Sequence, residues 1–195
     1  MAITRLQLYN NALMLCGERF LSALTEDREP RRLLDQVWNA NGIDYCLEQA
    51  QWWFAMRAVM IDYDPSISPG FGYQKAFSRP SDWKLTSAVC SDEFFKSPLT
   101  AYSYEGDYWY ADITPIYVKY VSNDANWGAN LSRWPATFGD YVAAYFASQI
   151  VAKLAGDRAA QRDVIFGPPG QPQKGLLLMN LHKAKNAAAM TQPTQ

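Results

Sequence analysis

Tyr102-Ser103-Tyr104-Glu105-Gly106-Asp107-Tyr108-Trp109-Tyr110 sets two aromatic runs on either side of an acidic, glycine-containing centre. Aromatic side chains suit a pleated, half-buried surface, so the stretch predicts a β-hairpin closed by the three-residue turn Glu105-Gly106-Asp107. Working outward, Ile116, Val118 and Tyr120 alternate with Tyr117, Lys119 and Val121. Upstream, Trp83, Leu85, Ser87 and Val89 alternate with Lys84, Thr86 and Ala88. A period of two marks strands, and from about 57 to 133 the chain reads as a β-rich insertion with a long irregular loop from Pro65 to Pro80.

Outside this segment the period is helical. Thr4 and Gln7 have capping-box spacing, and Leu6, Tyr9, Leu13 and Cys16 recur until Gly17. Pro30 suits a first helical turn, and Leu33, Val37, Ala40, Ile43, Leu47, Ala50 and Phe54 continue one stripe. Such a helix would be about 37 Å long, with a bend at Gly42. Pro135 opens a third helix carrying Phe138, Val142, Tyr145, Phe146, Ile150 and Leu154, and a short helix is expected from Arg158 to Phe166. Gly167-Pro168-Pro169-Gly170 breaks it, a last helix follows, and Thr191 to Gln195 read as a frayed end. The expectation is one domain over 1–195 of α+β class, mainly α. A helical bundle (1–56 and 134–166) carries the β-rich insertion lobe and a C-terminal helix or arm (174–195).

Of 195 residues, 49% are hydrophobic and 19% charged, enough apolar surface to offset the entropy of ordering the chain. Eighteen basic residues nearly cancel nineteen acidic ones, and the pI is near 5.8, which argues against a protein that grips nucleic acid. Met1-Ala2-Ile3-Thr4-Arg5 lacks a signal-peptide pattern, and no apolar run approaches membrane-span length. Three scattered cysteines, Cys16, Cys46 and Cys90, fit reduced thiols.

Catalytic chemistry needs convergent groups, and few are on offer. His182, the single histidine, sits among lysines and reads as a surface residue; no metal or cofactor is expected. Gly70-Phe71-Gly72 and Gly17-Glu18 match no nucleotide-binding motif and read as turns. Glu26-Asp27 and Asp92-Glu93 read as solvated loop charges, although a glycosidase pair needs no fixed sequence spacing. Trp52-Trp53-Phe54 and Tyr108-Trp109-Tyr110 read as partly core. On one helix three successive residues cannot share a face, so an exposed tryptophan would mark a partner surface.

The chain resembles the head-to-tail adaptors of tailed phages, the tail tubular protein A or gatekeeper type of short-tailed phages. The likeness runs through Tyr9-Asn10-Asn11-Ala12-Leu13, Gly17-Glu18, Leu24-Thr25-Glu26, Trp53-Phe54-Ala55, Phe77, Pro80, Asp82 and Trp83. It continues in Tyr104-Glu105-Gly106, Tyr110-Ala111-Asp112, Tyr117-Val118-Lys119-Tyr120-Val121, Trp134-Pro135, Phe138 and the closing run Ala184 to Met190. Order and spacing carry it, and the Gly167 to Gln173 stretch departs from it. The resemblance implies a non-enzymatic structural protein made in the host cytoplasm and placed in the virion neck. It implies a ring of about twelve copies joining a portal protein to a tail or nozzle protein, with DNA passing through the lumen without specific binding and no membrane span.

Two sets of residues are expected to make contacts. Arg28, Arg31, Arg32, Trp52 and Trp109 are assigned to the interface between ring subunits. Lys174, Leu176, Leu177, Leu178, Met179, Leu181, His182, Lys183 and Lys185 are assigned to portal docking, on an arm set apart from the bundle core by the proline-glycine break. The alternative is that this segment is the last bundle helix. Two other functions compete with the adaptor: a tail-associated cell-wall hydrolase, and a sugar- or base-binding module using the aromatic trios.

Overall fold

The computed structural model describes residues 3–154, 156 and 158–191. Helix α1 spans Arg5–Leu15, and its cap is the predicted one: the Gln7 N–H donates to Thr4 Oγ1 at 3.2 Å. Gly17, at φ +68°, follows its end. Leu8, Tyr9, Ala12 and Leu13 form its buried face.

The long helix expected from Pro30 to Phe54 is broken. It is α2 (Glu29–Asn39), α3 (Gly42–Leu47) and a 3-10 turn over Trp53–Ala55. Asn41 lies in the left-handed region at φ +61° and turns the chain. A Cβ on Gly42 would stand 2.7 Å from the Val37 carbonyl oxygen and 3.2 Å from the Phe146 ring, so the glycine is required by close approach.

The strands are β1 (Met56–Ile61), β2 (Lys75–Ser78), β3 (Trp83–Cys90), β4 (Ser103–Glu105), β5 (Tyr108–Ala111) and β6 (Ile116–Ser122). They form two antiparallel three-stranded sheets, β1-β6-β3 and β2-β5-β4. The hairpin is where the aromatic runs place it, but Glu105 pairs with Tyr108, so its loop is the two residues Gly106-Asp107, with Gly106 at φ +57°. Helices α4 (Ala136–Ile150), α5 (Ala159–Phe166) and α6 (Leu176–Thr191) complete the chain.

The expectation of a mainly α bundle with a β lobe attached is overturned. Among the described residues the fold is mixed, with six α-helices and two antiparallel sheets of three strands each. Strands β1 and β2 were not foreseen: β1 has apolar residues on both faces, and β2 is four residues inside a segment read as loop. The β half also builds its own core, in which Phe77 and Trp109 of one sheet meet Ile116, Val118 and Tyr120 of the other. Its base enters the helical core, where Val121 is buried and Met56 and Leu85 pack.

Polar contacts fix the join. Arg57 Nη1 and the Tyr120 hydroxyl donate to Asp82 at 2.9 and 3.0 Å, and the Ser122 hydroxyl donates to it as well. Asp82 thus ties β1 and β6 to the turn before β3. Burial pushes its carboxyl up, but the bonds from Ser122, Arg57 and Tyr120 outweigh burial and hold it below the usual range.

Candidate functional site

Strand alternation decides which side chains the β1-β6-β3 sheet presents to each side. Val59, Ile61, Val118 and Ile116 face the second core, while Met56, Ala58, Met60 and Lys119 lie on the opposite face. That outer face floors a groove of about 780 Å³, bounded by Trp53, Phe95, Trp127 and Thr191. Trp53 is 44% exposed and Met60 59%. Lys119 is exposed in the groove, with no ion-pair partner among the described residues.

Of the residues assigned to a subunit interface, Trp52 and Trp109 are corrected: they are 1% and 0% exposed. The Trp52 indole donates to the Cys46 carbonyl at 3.1 Å and its ring packs edge-on to Phe138. The exposed member of its trio is Trp53, held outside by the 3-10 turn. No periodicity could single it out, because the segment is not helical in the expected sense. Arg28, Arg31 and Arg32 are all engaged within the chain. Arg31 binds Asp35, which also accepts from Arg5 at 2.7 Å and from the Tyr9 hydroxyl at 2.9 Å. Arg28 lies 3.7 Å from Glu18 and 3.5 Å from Glu26, and Glu18 in turn pairs with Arg158. Arg32 meets Asp27 at 2.8 Å on the exposed side. Arg31 thus pairs within its own helix and Asp35 is what ties α2 to α1, while Arg28 and Arg158 meet on Glu18 of the loop after α1; an exposed pair such as Arg32 with Asp27 contributes little.

The segment assigned to portal docking is not an arm apart from the core. Ala184 and Ala188 of α6 are buried against the helical core, with Leu177 and Leu181 half-buried beside them. Leu176, Leu178 and Lys185 are half-buried; Lys174, Met179, His182 and Lys183 are exposed. The proline-glycine break is a tight turn. Gln171 N–H donates to the Pro168 carbonyl at 2.9 Å and Gly175 N–H to Pro172 at 3.0 Å. A Cβ on Gly175 would lie 2.3 Å from the Phe166 carbonyl carbon, so glycine there lets the end of α5 and the start of α6 touch. The frayed end assigned to Thr191 through Gln195 lies outside the described residues beyond Thr191, which itself ends α6.

The acidic pairs are spent on their own loops. Glu26 accepts from the Ser22 N–H and hydroxyl, both at 2.9 Å, and these bonds lower its pKa to about 2. At Asp92 burial pushes the carboxyl up, but the N–H groups of Lys96, Ser97 and Phe94 outweigh it and the net shift is down. Among the described residues, Glu26, Asp64, Asp82 and Asp92 are carboxyls held below their ordinary values by hydrogen bonds from neighbouring groups. The three cysteines are buried; burial raises Cys16 to about 11 and pushes Cys46 and Cys90 up too, which keeps them as inert thiols. Among the described residues no group of three His, Cys, Asp or Glu could hold a metal ion, and no helix is long and apolar enough to cross a membrane. No protein-family model matches this chain, and no curated protein matches it.

Proposed function

We propose that this chain is a structural head-to-tail adaptor of a tailed phage, a ring subunit that joins portal to tail and continues the DNA channel. The observation that carries the reading is the distribution of exposed large apolar side chains over both halves of the molecule. Met14, Phe20 and Phe166 stand out from the helical half, and Met60, Phe71 and Phe94 from the β half. Scattered single residues are ordinary, but a 780 Å³ groove of mixed polar and apolar lining, walled by Trp53 and Trp127, together with a phenylalanine 94% exposed supports a surface suited to contacts. A subunit that must touch copies of itself, a portal and a tail protein needs such surface on several sides. Near-balanced charge supports it as well, because a channel wall dense in lysine and arginine would retain DNA by counterion release. The exposed face of α6 with His182 and Lys183, together with Lys174 in the turn just before it, remains the proposed portal contact.

The test mixes purified portal with this protein and measures the mass of the complex. A stoichiometric ring on the portal is expected; a portal that never retains the protein sinks the reading.

A further inference from the structure

We infer that subunits join head to tail through the Phe71 loop of one copy, which docks on the outer face of the β1-β6-β3 sheet in the next, with Asp62 directed to Lys119. The inference rests on the adaptor reading for its setting and on three observations for its content.

The first is the projecting loop, which connects β1 to β2. Asp64 Oδ1 accepts from the Ser66 N–H at 2.9 Å, Asp64 N–H donates to the Ala76 carbonyl at 2.7 Å, and Gln74 N–H donates to Asp112 Oδ1 at 2.9 Å. Both ends of the loop are thus fastened to the sheet while Phe71, flanked by Gly70 and Gly72, is 94% exposed at its tip. Fastening both ends of the loop limits the conformational freedom it loses when its tip docks. The second is the receptor. The groove is large enough for an aromatic ring; its floor at Ala58 and Ala88 has no bulk above the sheet, and Trp53 and Trp127 wall it. The third is charge. Lys119 lines that groove unpaired among the described residues, and Asp62, exposed at the root of the loop, is likewise without an ion-pair partner among them. The chain therefore carries both members of an opposite-charge pair, one at the root of the loop and one in the groove. Such a contact is heterologous, so it propagates from copy to copy and closes into a ring when the rotation per step allows.

Disulfide trapping tests the geometry. Phe71→Cys and Ala58→Cys, carried on separate copies in a Cys90→Ser background because Cys90 lines the same groove, are expected to form a linked dimer on mixing, whereas Val164→Cys with Ala58→Cys does not; Cys16 and Cys46 are buried away from it. Association measured by sedimentation is expected to weaken about tenfold or more in Phe71→Asp. Asp62→Lys and Lys119→Glu should each weaken it, and the chain carrying both should recover, since every interface then regains an opposite-charge pair. Linking no stronger than the Val164 control, or unchanged association of Phe71→Asp, overturns the contact. If wild-type rings still form on the portal in that case, the adaptor reading stands and only the contact fails. If trapping succeeds while portal binding is absent, the contact stands and the adaptor reading fails.

Discussion

Lys84 of β3 reaches Asp44 of α3 at 2.7 Å, and both side chains are about four-fifths withdrawn from water. Asn123 Nδ2 donates to the two oxygens of the same carboxylate at 3.0 Å. Asp44 is therefore a joint between the helical half and the β half, and its partners are Lys84 of β3 and Asn123 just after β6.

Removing that joint should loosen the two halves from each other. Asp44→Ala leaves Lys84 and Asn123 without their shared acceptor and is expected to cost about 1–3 kcal/mol. Urea unfolding gives the magnitude, and amide exchange should quicken first at α3 and at the base of β3. An unchanged exchange pattern would mean that apolar packing of Val121, Met56 and Leu85 alone holds the halves together.

Asp82 makes stability fall in acid. Its folded pKa is depressed, so its contribution is complete above the unfolded carboxyl value near about 4 and drains away as pH drops through the lower folded value. Asp82→Asn should be less stable than wild type at neutral pH, and the two denaturation midpoints should converge as the solution is acidified. Midpoints that stay parallel down to low pH would show that the carboxylate's charge is irrelevant at this site.

Truncation at Gln173 discriminates between a docking arm and a core helix. The packing of α6 predicts that the shortened chain loses cooperative melting, because α4 would expose the surface now covered by Ala184, Ala188, Leu177 and Leu181. Changing Lys174, His182 and Lys183 to glutamate alters only exposed positions and should leave the melting temperature within a few degrees, while weakening capture by portal. A truncated protein that melts cooperatively would return the segment to the status of a separate arm.

Local chemistry settled a good part of this protein. The Thr4 cap, the alternation in β6, the hairpin around Gly106 and the first turn after Pro135 each depend on residues within a few positions of one another, and each is where the sequence places it; β3 is a strand, but two register shifts break its alternation, so Trp83 and Val89 pack on the second core and Leu85 on the helical one. The scarcity of histidine and the near-balance of charge are likewise plain from composition. Tertiary structure decided what periodicity cannot express. A repeat of three and four residues runs through Asn41 without a fault, yet the chain turns there at φ +61°, and Gly42 beside it lets the Phe146 ring and the Val37 carbonyl approach the backbone. Trp52, Trp53 and Trp109 are chemically alike in sequence; two are buried and one is exposed because Phe138 and the facing sheet meet only the first and last. The leucines and alanines of α6 mark an apolar face, and its partner, α4, lies some forty residues earlier in the chain. A sequence pattern fixes which side chains share a face; whether that face meets protein or water is set by distant segments that only the folded chain brings together.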